Sequence, residues 1–564
     1  GGPLGIRKSP LDRGIFPCHD EDDCRSDPQL LLDYASSVGG SVPTNPVTEA
    51  DDEAWATIQG YIDKGYMTEF DCYDDLVKYL NGETPVLSDF VVITKEKNGT
   101  VKKRIILNLK SSGISGASHN AERVMLPSSS DVAWDLVEML ATKKAHGEMI
   151  LVVLDFKDAF FQVPVLPEER PFLAAKLRGK YVVFERAAQG SRGAPLLWGR
   201  MAALVNRLTA GLCSTQCLRT SIYVDDPMIA ATGTPEQSKR IVSKVAASWM
   251  GLGFKLAFEK AAHAEMLQEI TWTSSIYKVE HNKIIVSVKK AIVQDVRDEV
   301  RHLLSVNVVP EKRLRTFLGK VVCVASVITT WRPFLAMMWA PLYTPTSHKK
   351  PGLIWTRTLK TALLWISAFL EGKGGTINRI IEVAEFVKSG FQVSITVDAS
   401  PYGLGGYLME DGRAIAYFWD PLTDIDFQRF GFARGDAAGQ QTWEALAVLI
   451  ALRLWSGRWK KRRVVLTVRS DSVSALVILL KFKTKGVMPG LIAREIALDV
   501  GESVYKPQVI SHLPGIMNTV ADKLSRFAQT GSSTESLPSV LDGATRWIPP
   551  PRGDRYYRTL SPPL

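Results

Sequence analysis

The chain has 564 residues, 46% of them hydrophobic and 23% charged, with 69 Lys and Arg against 59 Asp and Glu and a net charge of +10. The length predicts several domains, the composition excludes a largely disordered chain, and no apolar run reaches the roughly 18 residues needed to span a bilayer. The basic excess favours a polyanionic partner; six cysteines are too few for a disulfide framework, so reduced thiols in an intracellular, cytoplasmic or nuclear setting are expected.

Residues 1–50 are rich in Gly, Pro, Ser and Asp without sustained periodicity, and a weakly ordered arm is expected there. Helical spacing then runs from Glu53 to Tyr66, with Gly65 as a stop. Strands are predicted at Asp89–Thr94 and Lys103–Leu109, joined by the Asn98-Gly99 turn. A helix is predicted over Asp131–Lys143, and the apolar run Met149–Leu154 reads as a buried strand ending on Asp155. Helices follow at Pro195–Leu208 and Pro235–Gly251, flanking a strand–turn–strand over Ser221–Ala231. Residues 284–370 read as mostly helical and basic, either a face that tracks a nucleic-acid backbone or a solvated helical linker. From Phe391 strands (Val393–Val397, Gly406–Met409, Arg463–Val468) alternate with helices around Trp443–Leu454 and Ser472–Leu480. The last 38 residues carry six prolines and read as a tail.

Two sets of carboxylates carry the chemistry. In Ser221-Ile-Tyr-Val-Asp-Asp-Pro-Met-Ile-Ala230, apolar runs flank Asp225 and Asp226 at a hairpin tip. Burying two adjacent carboxylates without partners costs several kcal/mol, so such a pair faces solvent or a cation. Alone it reads as an ordinary acidic turn, but Asp155 ends a second apolar strand. Acids at two strand ends suit a pair of Mg²⁺ ions roughly 3.5–4 Å apart that clamp the attacking and leaving oxygens of a phosphoryl transfer.

In residue order and spacing, Leu154-Asp-Phe-Lys-Asp-Ala-Phe-Phe161, Gln189-Gly-Ser-Arg-Gly-Ala-Pro195 and Tyr223-Val-Asp-Asp226 resemble the palm of a retroelement reverse transcriptase. The basic hairpin Lys95–Lys110 resembles that family's fingers. The resemblance implies that Asp155, Asp225 and Asp226 hold two Mg²⁺ ions, with Mn²⁺ a possible substitute. It implies a deoxynucleoside triphosphate pocket of Lys97, Arg104, Asp158, Ala159, Phe160, Gln189 and Gly190, with Phe160 excluding a 2′-hydroxyl. Lys260 matches the lysine after the palm helix, a proton donor to pyrophosphate or simply a surface lysine. Three positions depart from the pattern: Pro227 after the acid pair, Asn108 for an acid in the finger strand, and Ala188 for a proline before Gln189.

Farther on, Asp398, Glu444, Asp471 and Asp522 each stand at the edge of a different predicted element, and His512 precedes the last acid by ten residues. With Ser511-His-Leu-Pro-Gly-Ile-Met-Asn-Thr-Val-Ala-Asp522 this set resembles a ribonuclease H site. It implies two further Mg²⁺ ions, one activating water and one stabilising the leaving oxygen, and a helix whose N-cap is Asn518. The expected fold class is thus an α+β fingers–palm–thumb polymerase followed by an α/β ribonuclease H-like domain with a mixed sheet. Its expected segments are the arm, fingers and palm at 51–265, thumb and connection at 266–390, the ribonuclease H-like domain at 391–526 and the tail at 527–564. The partners implied are an RNA template, a DNA primer, an RNA–DNA hybrid and deoxynucleoside triphosphates, with no membrane. Trp331-Arg-Pro-Phe-Leu and the Pro-rich end look more like tyrosine-recombinase retrotransposons or pararetroviruses than retroviruses. The rival readings are a domesticated, weakly or non-catalytic nucleic-acid-binding protein, disfavoured because all seven acids are present, and a DNA-templated polymerase with an exonuclease.

Overall fold

The computed structural model describes residues 1–7, 16–18, 26–39, 45–97, 100–120, 122–142, 148–343, 352–459, 463–484, 486–529 and 536–563; side chains are described for these except within 95–102. The chain divides into two compact units, Gly1–Pro127 with Lys144–Glu265, and Ser128–Lys143 with Met266–Leu564. The predicted turn at Asn98-Gly99 lies outside the described residues.

The first unit is built on an antiparallel sheet in the order Ala262–Ala264, Glu148–Val153, Asp226–Gly233, Leu218–Tyr223. Helices Ala194–Ala210 and Pro235–Gly251 accompany it, and Trp198, Val205, Val245 and Trp249 bury their side chains in the unit's core. The second helix starts where its sequence says it should: Thr234 and Gln237 form a reciprocal capping box, with Pro235 in the first turn. Phe90–Lys97 pairs antiparallel with Thr100–Leu107.

The arm departs from expectation. Leu4 and Ile6 are buried in the core, their amides donate to the Glu169 carboxylate, and the Gly2 amide donates to the Pro164 carbonyl at 2.8 Å. Asp27 caps a helix over Pro28–Val38. Single apolar residues spaced by glycines bury well without leaving a periodic trace, which is why the sequence reads as unstructured.

Among the described residues the second unit holds three sheets, the smallest a ribbon of Val308–Pro310 and Leu353–Trp355. An antiparallel one runs Glu269–Trp272, Ser275–Val279, Lys283–Val288, Asn378–Glu382, and between its last two strands the predicted helical character of 284–370 appears as helices Lys290–Ser305, Glu311–Val327, Arg332–Tyr343 and Lys360–Leu370. Helix Ser129–Thr142 joins it: Ser129 and Ser275 share a 2.7 Å hydrogen bond, and Arg379 donates to Ser130 at 2.8 Å. That helix therefore leaves the 51–265 segment in which it was expected. The largest sheet is mixed and six-stranded, in the order Val509–His512, Val464–Ser470, Phe391–Ala399, Gly403–Glu410, Arg413–Pro421, Thr545–Arg546. Its helix Gln440–Leu454 is buried along nearly its whole length, and helix Thr519–Arg526 lies so close to the sheet that a Cβ on Gly405 would meet the Ser525 amide nitrogen at 2.4 Å.

The expected tail is part of this domain. Thr545–Arg546 adds the sixth strand. The guanidinium of Arg552, itself buried, clasps both oxygens of buried Asp426 at 2.9 and 2.7 Å and also Asp420. Tyr557 packs in the core, and Glu495 accepts hydrogen bonds from the amide and hydroxyl of Thr559, each at 2.7 Å. Prolines and small polar residues signalled a tail by composition alone; the anchors are isolated residues whose partners lie more than 60 positions away. No described helix is long and apolar enough to cross a membrane.

Candidate active sites

In the first unit the sheet register brings the acids together. Glu148–Val153 pairs with Asp226–Gly233 so that Val153 stands opposite Met228. The ladder runs on beyond the strand end: the Leu154 amide donates to Pro227 at 3.0 Å and the Phe156 amide to Asp225 at 2.8 Å. That continuation sets Asp155 opposite Asp226, in the kind of non-hydrogen-bonded pair that brings side chains closest. Pro227 fits because its carbonyl still serves the ladder; only the reciprocal donor to Leu154 is lost.

The hairpin tip is strained. Tyr223 pairs with Asp226 across a two-residue turn, and Val224, β-branched, sits at φ +54°. The indole of Trp198 donates to the Val224 carbonyl at 2.6 Å, a part-buried hydrogen bond that holds the tip. Burial pushes the Asp225 carboxyl above its usual range, the nearby Asp155 charge adds to the rise, and Lys260 and Arg104 oppose it. Lys260 donates to both Asp155 oxygens at 2.8 Å, an ion pair that raises the lysine's own pKa together with the charges of Asp225 and Asp226. The lysine carried over as a proton donor to pyrophosphate is thus engaged with the first acid itself.

Around these acids, Asp158 takes a positive φ of 52° and accepts from Lys64 at 3.2 Å and Tyr66 at 3.3 Å. Ala159 is buried and Phe160 half-buried against the core, both in a short turn over Ala159–Gln162. The Gln189 carbonyl accepts from the Leu107 amide at 3.1 Å. Gly190, at φ +109°, is pressed against a neighbouring strand: a Cβ there would meet the Leu107 carbonyl oxygen at 2.2 Å. That close approach to the Thr100–Leu107 strand requires glycine whatever else the position faces. Lys97 ends the strand Phe90–Lys97, and its side chain lies outside the described ones.

In the second unit Asp398 ends the central strand Phe391–Ala399, Glu444 lies on the buried helix Gln440–Leu454, and Asp471 follows the parallel strand Val464–Ser470. One oxygen of each lies within 4.8 Å of the others, the one such cluster of acid, histidine or cysteine ligands among the described residues. Desolvation, reinforced by the mutual repulsion of these acids, pushes Asp398 up to about 7 and Glu444 up to about 9. Glu444 Oε2 and Asp471 Oδ1 are buried with no hydrogen-bond partner. Hard oxygen donors, clustered, and two of them orphaned, fit a divalent cation such as Mg²⁺.

Asp522 is not drawn into that cluster. Its side chain is 42% exposed and is held by Arg526 at 2.8 Å, near enough to Asp398 to raise its pKa. His512 is exposed, with Nε2 3.1 Å from the Asp471 carbonyl oxygen. The sequence missed the groups that position the acids. Gln440 donates to Glu444 at 2.7 Å and to the Ala399 carbonyl at 2.6 Å. Ser525 donates to Asp398 at 2.8 Å. Asn518, expected as a cap, makes no side-chain capping bond and instead donates to Asp398 and the Val397 carbonyl, both at 3.2 Å. Only the spacing of Gln440 four residues before Glu444, one helical turn, was a visible signal.

Residues 93–304, which contain the whole first acid set, match the family model for reverse transcriptase (RNA-dependent DNA polymerase). This segment is similar to reverse transcriptases. The chain is also similar to the Gag-Pol polyprotein of Gibbon ape leukemia virus, 28% identical over 214 residues that make up 36% of this chain and 11% of the polyprotein. The Gag-Pol polyproteins of Woolly monkey sarcoma virus, 27% identical, and Koala retrovirus, 26% identical, match over 36% and 37% of the chain. The chain thus spans about a tenth of the length of these curated relatives. All three are retroviral, so the retrotransposon or pararetrovirus subtype suggested by Trp331-Arg-Pro-Phe-Leu stays a proposal. Among solved structures, a foamy viral protease-reverse transcriptase in complex with dsDNA is similar at a TM-score of 0.43 and 15% identity, covering 89% of this chain and 95% of that one. The same viral protein in complex with RNA/DNA hybrid gives 0.40 and 14%, covering 91% and 57%.

Proposed function

We propose that this chain is an RNA-directed DNA polymerase with a second, hybrid-cleaving ribonuclease site. The observation that carries the polymerase reading is the ladder that sets Asp155 opposite Asp226 beside Asp225, inside the segment that matches the reverse transcriptase family. Asp155, Asp225 and Asp226 would hold the divalent ions, and Arg104 would neutralise triphosphate charge next to them. Divalent ions there supply charge stabilisation for the attacking and leaving oxygens. Phe160 would press on the sugar and exclude a 2′-hydroxyl, and Gln189 would line the same pocket.

The ribonuclease reading rests on the clustered Asp398, Glu444 and Asp471 with their orphaned oxygens. Asn518, Ser525 and Gln440 fix the acids in place, Asp522 stands ready at the rim, and His512, too exposed and too poor a ligand for a hard ion, would act near product departure. All seven acids favour an active enzyme over a domesticated binding protein. The substrates would be an RNA template, a DNA primer, deoxynucleoside triphosphates and the RNA–DNA hybrid.

The test is primer extension on RNA and DNA templates in Mg²⁺ or Mn²⁺, run beside cleavage of labelled RNA in a hybrid. Extension on RNA together with cleavage of the hybrid is expected. Binding without either activity would favour the domesticated reading.

A further inference from the structure

In the first unit the charge balance of the three acids is struck by a side chain of the chain itself. Lys260 sits at the end of a short turn, Phe258–Lys260, and reaches both oxygens of Asp155. The backbone enforces this meeting: the Ala257 amide donates to the Asp155 carbonyl at 2.8 Å, the Lys157 amide to the Lys255 carbonyl at 2.9 Å, and Phe156 bridges Leu256. The partners differ in freedom. The Asp155 side chain is 14% exposed and fixed at its strand end, whereas that of Lys260 is 58% exposed on a flexible four-carbon stem. The groups acting on this site are Asp155, Asp225, Asp226, Lys260 and, through Asp225, Arg104.

We propose that Lys260 is a placeholder cation, whose ammonium neutralises the polymerase carboxylates until a divalent ion enters and which must leave Asp155 for that ion to bind. This rests on the polymerase reading of the first site. Three carboxylates near one another, two at the hairpin tip and Asp155 on the neighbouring strand end, repel one another, and an ammonium on Asp155 relieves that repulsion. The same oxygens are the ones a hard cation needs, so ammonium and divalent ion compete for them. Because the lysine is exposed, it can swing into water at small cost, and the competition is modest.

The experiment measures Mn²⁺ binding from the free-ion electron paramagnetic resonance signal, without nucleotide, on the full chain carrying Asp398→Asn and Asp471→Asn to silence the second cluster. Lys260→Gln in that background should tighten Mn²⁺ binding about fivefold, while Lys260→Arg, which keeps the pair, should bind as the parent does. Asp155→Asn should abolish binding. Parent-like or weaker affinity in Lys260→Gln, with binding still lost in Asp155→Asn, overturns the placeholder and leaves the polymerase reading standing. Tightening by Lys260→Arg equal to that by Lys260→Gln overturns it likewise. Undiminished binding in Asp155→Asn would remove the metal site itself, and the proposal with it.

Discussion

Phe160 and Glu444 show how a single side chain's surroundings set what it can do. Phe160 is only half-buried, while its neighbour Phe161 is fully buried and stacks on Tyr66 at 5.0 Å between ring centroids. The core is therefore filled by Phe161, which leaves the ring of Phe160 to shape the space above it. Phe160→Ala should raise the kcat/KM for ribonucleotides relative to deoxynucleotides by about tenfold or more, one lost steric exclusion, with little effect on melting temperature; an unchanged ratio would make it a packing residue. Glu444 makes a prediction about pH. Its folded pKa of about 9 lies above the ordinary 4.5, so between those values the folded state holds a proton the unfolded state has released, and stability falls as pH rises. Asp398, at about 7, adds to the fall between its ordinary 3.8 and that value. In chelator, the melting temperature of the chain should drop from pH 5 to pH 8. Glu444→Gln should flatten that slope and stabilise the protein at pH 8 by about 1–3 kcal/mol. Mg²⁺ should recover the wild type but not the variant. A melting temperature that rises with pH in chelator would contradict the burial of these acids.

At the scale of elements, what could be read from the sequence was whatever local pattern determines. Apolar runs ending on acids located the strands before Asp155, Asp398 and Asp471, and Pro235 located a helix start. Hidden were the contacts between residues far apart in the chain: Glu169 holding Leu4 and Ile6, the Leu107 carbonyl behind Gly190, and Asn518 turned from its own helix toward Asp398. The C-terminal segment is the clearest case, since Arg552 looks like any surface arginine until Asp426 and Asp420 are placed around it. Asp426 also completes the capping box of helix Asp424–Phe430 with Thr423, so one carboxylate ties the segment to a helix start. Arg552→Ala would leave that carboxylate buried and unpaired, and a loss of about 3–5 kcal/mol is expected, measured as a fall in melting temperature and in hybrid cleavage together. Unfolding at the wild-type temperature would mean the segment is only laid on the domain surface.

At the scale of the whole molecule, the two acid sets belong to different compact units, each with its own sheet and core. If each set works alone, the activities should separate by mutation. Asp225→Asn removes one carboxylate from the first set and should reduce DNA synthesis by about a hundredfold or more while hybrid cleavage continues. Asp471→Asn should do the reverse, since Asp471 supplies one of the three clustered oxygens and one of the two orphaned ones. His512→Ala should only slow cleavage, because the imidazole touches the Asp471 backbone and none of the clustered oxygens. Asp522→Asn is the sharpest member of the series. Its carboxylate is paired with Arg526 at the rim, so if it joins the cluster only when substrate and cation arrive, its loss should abolish cleavage yet leave the metal-free melting temperature unchanged. Primer extension and cleavage of labelled RNA, measured on the same preparations, decide the matter: a variant that loses both activities while its melting curve stays that of the wild type would show that the two sites do not act independently.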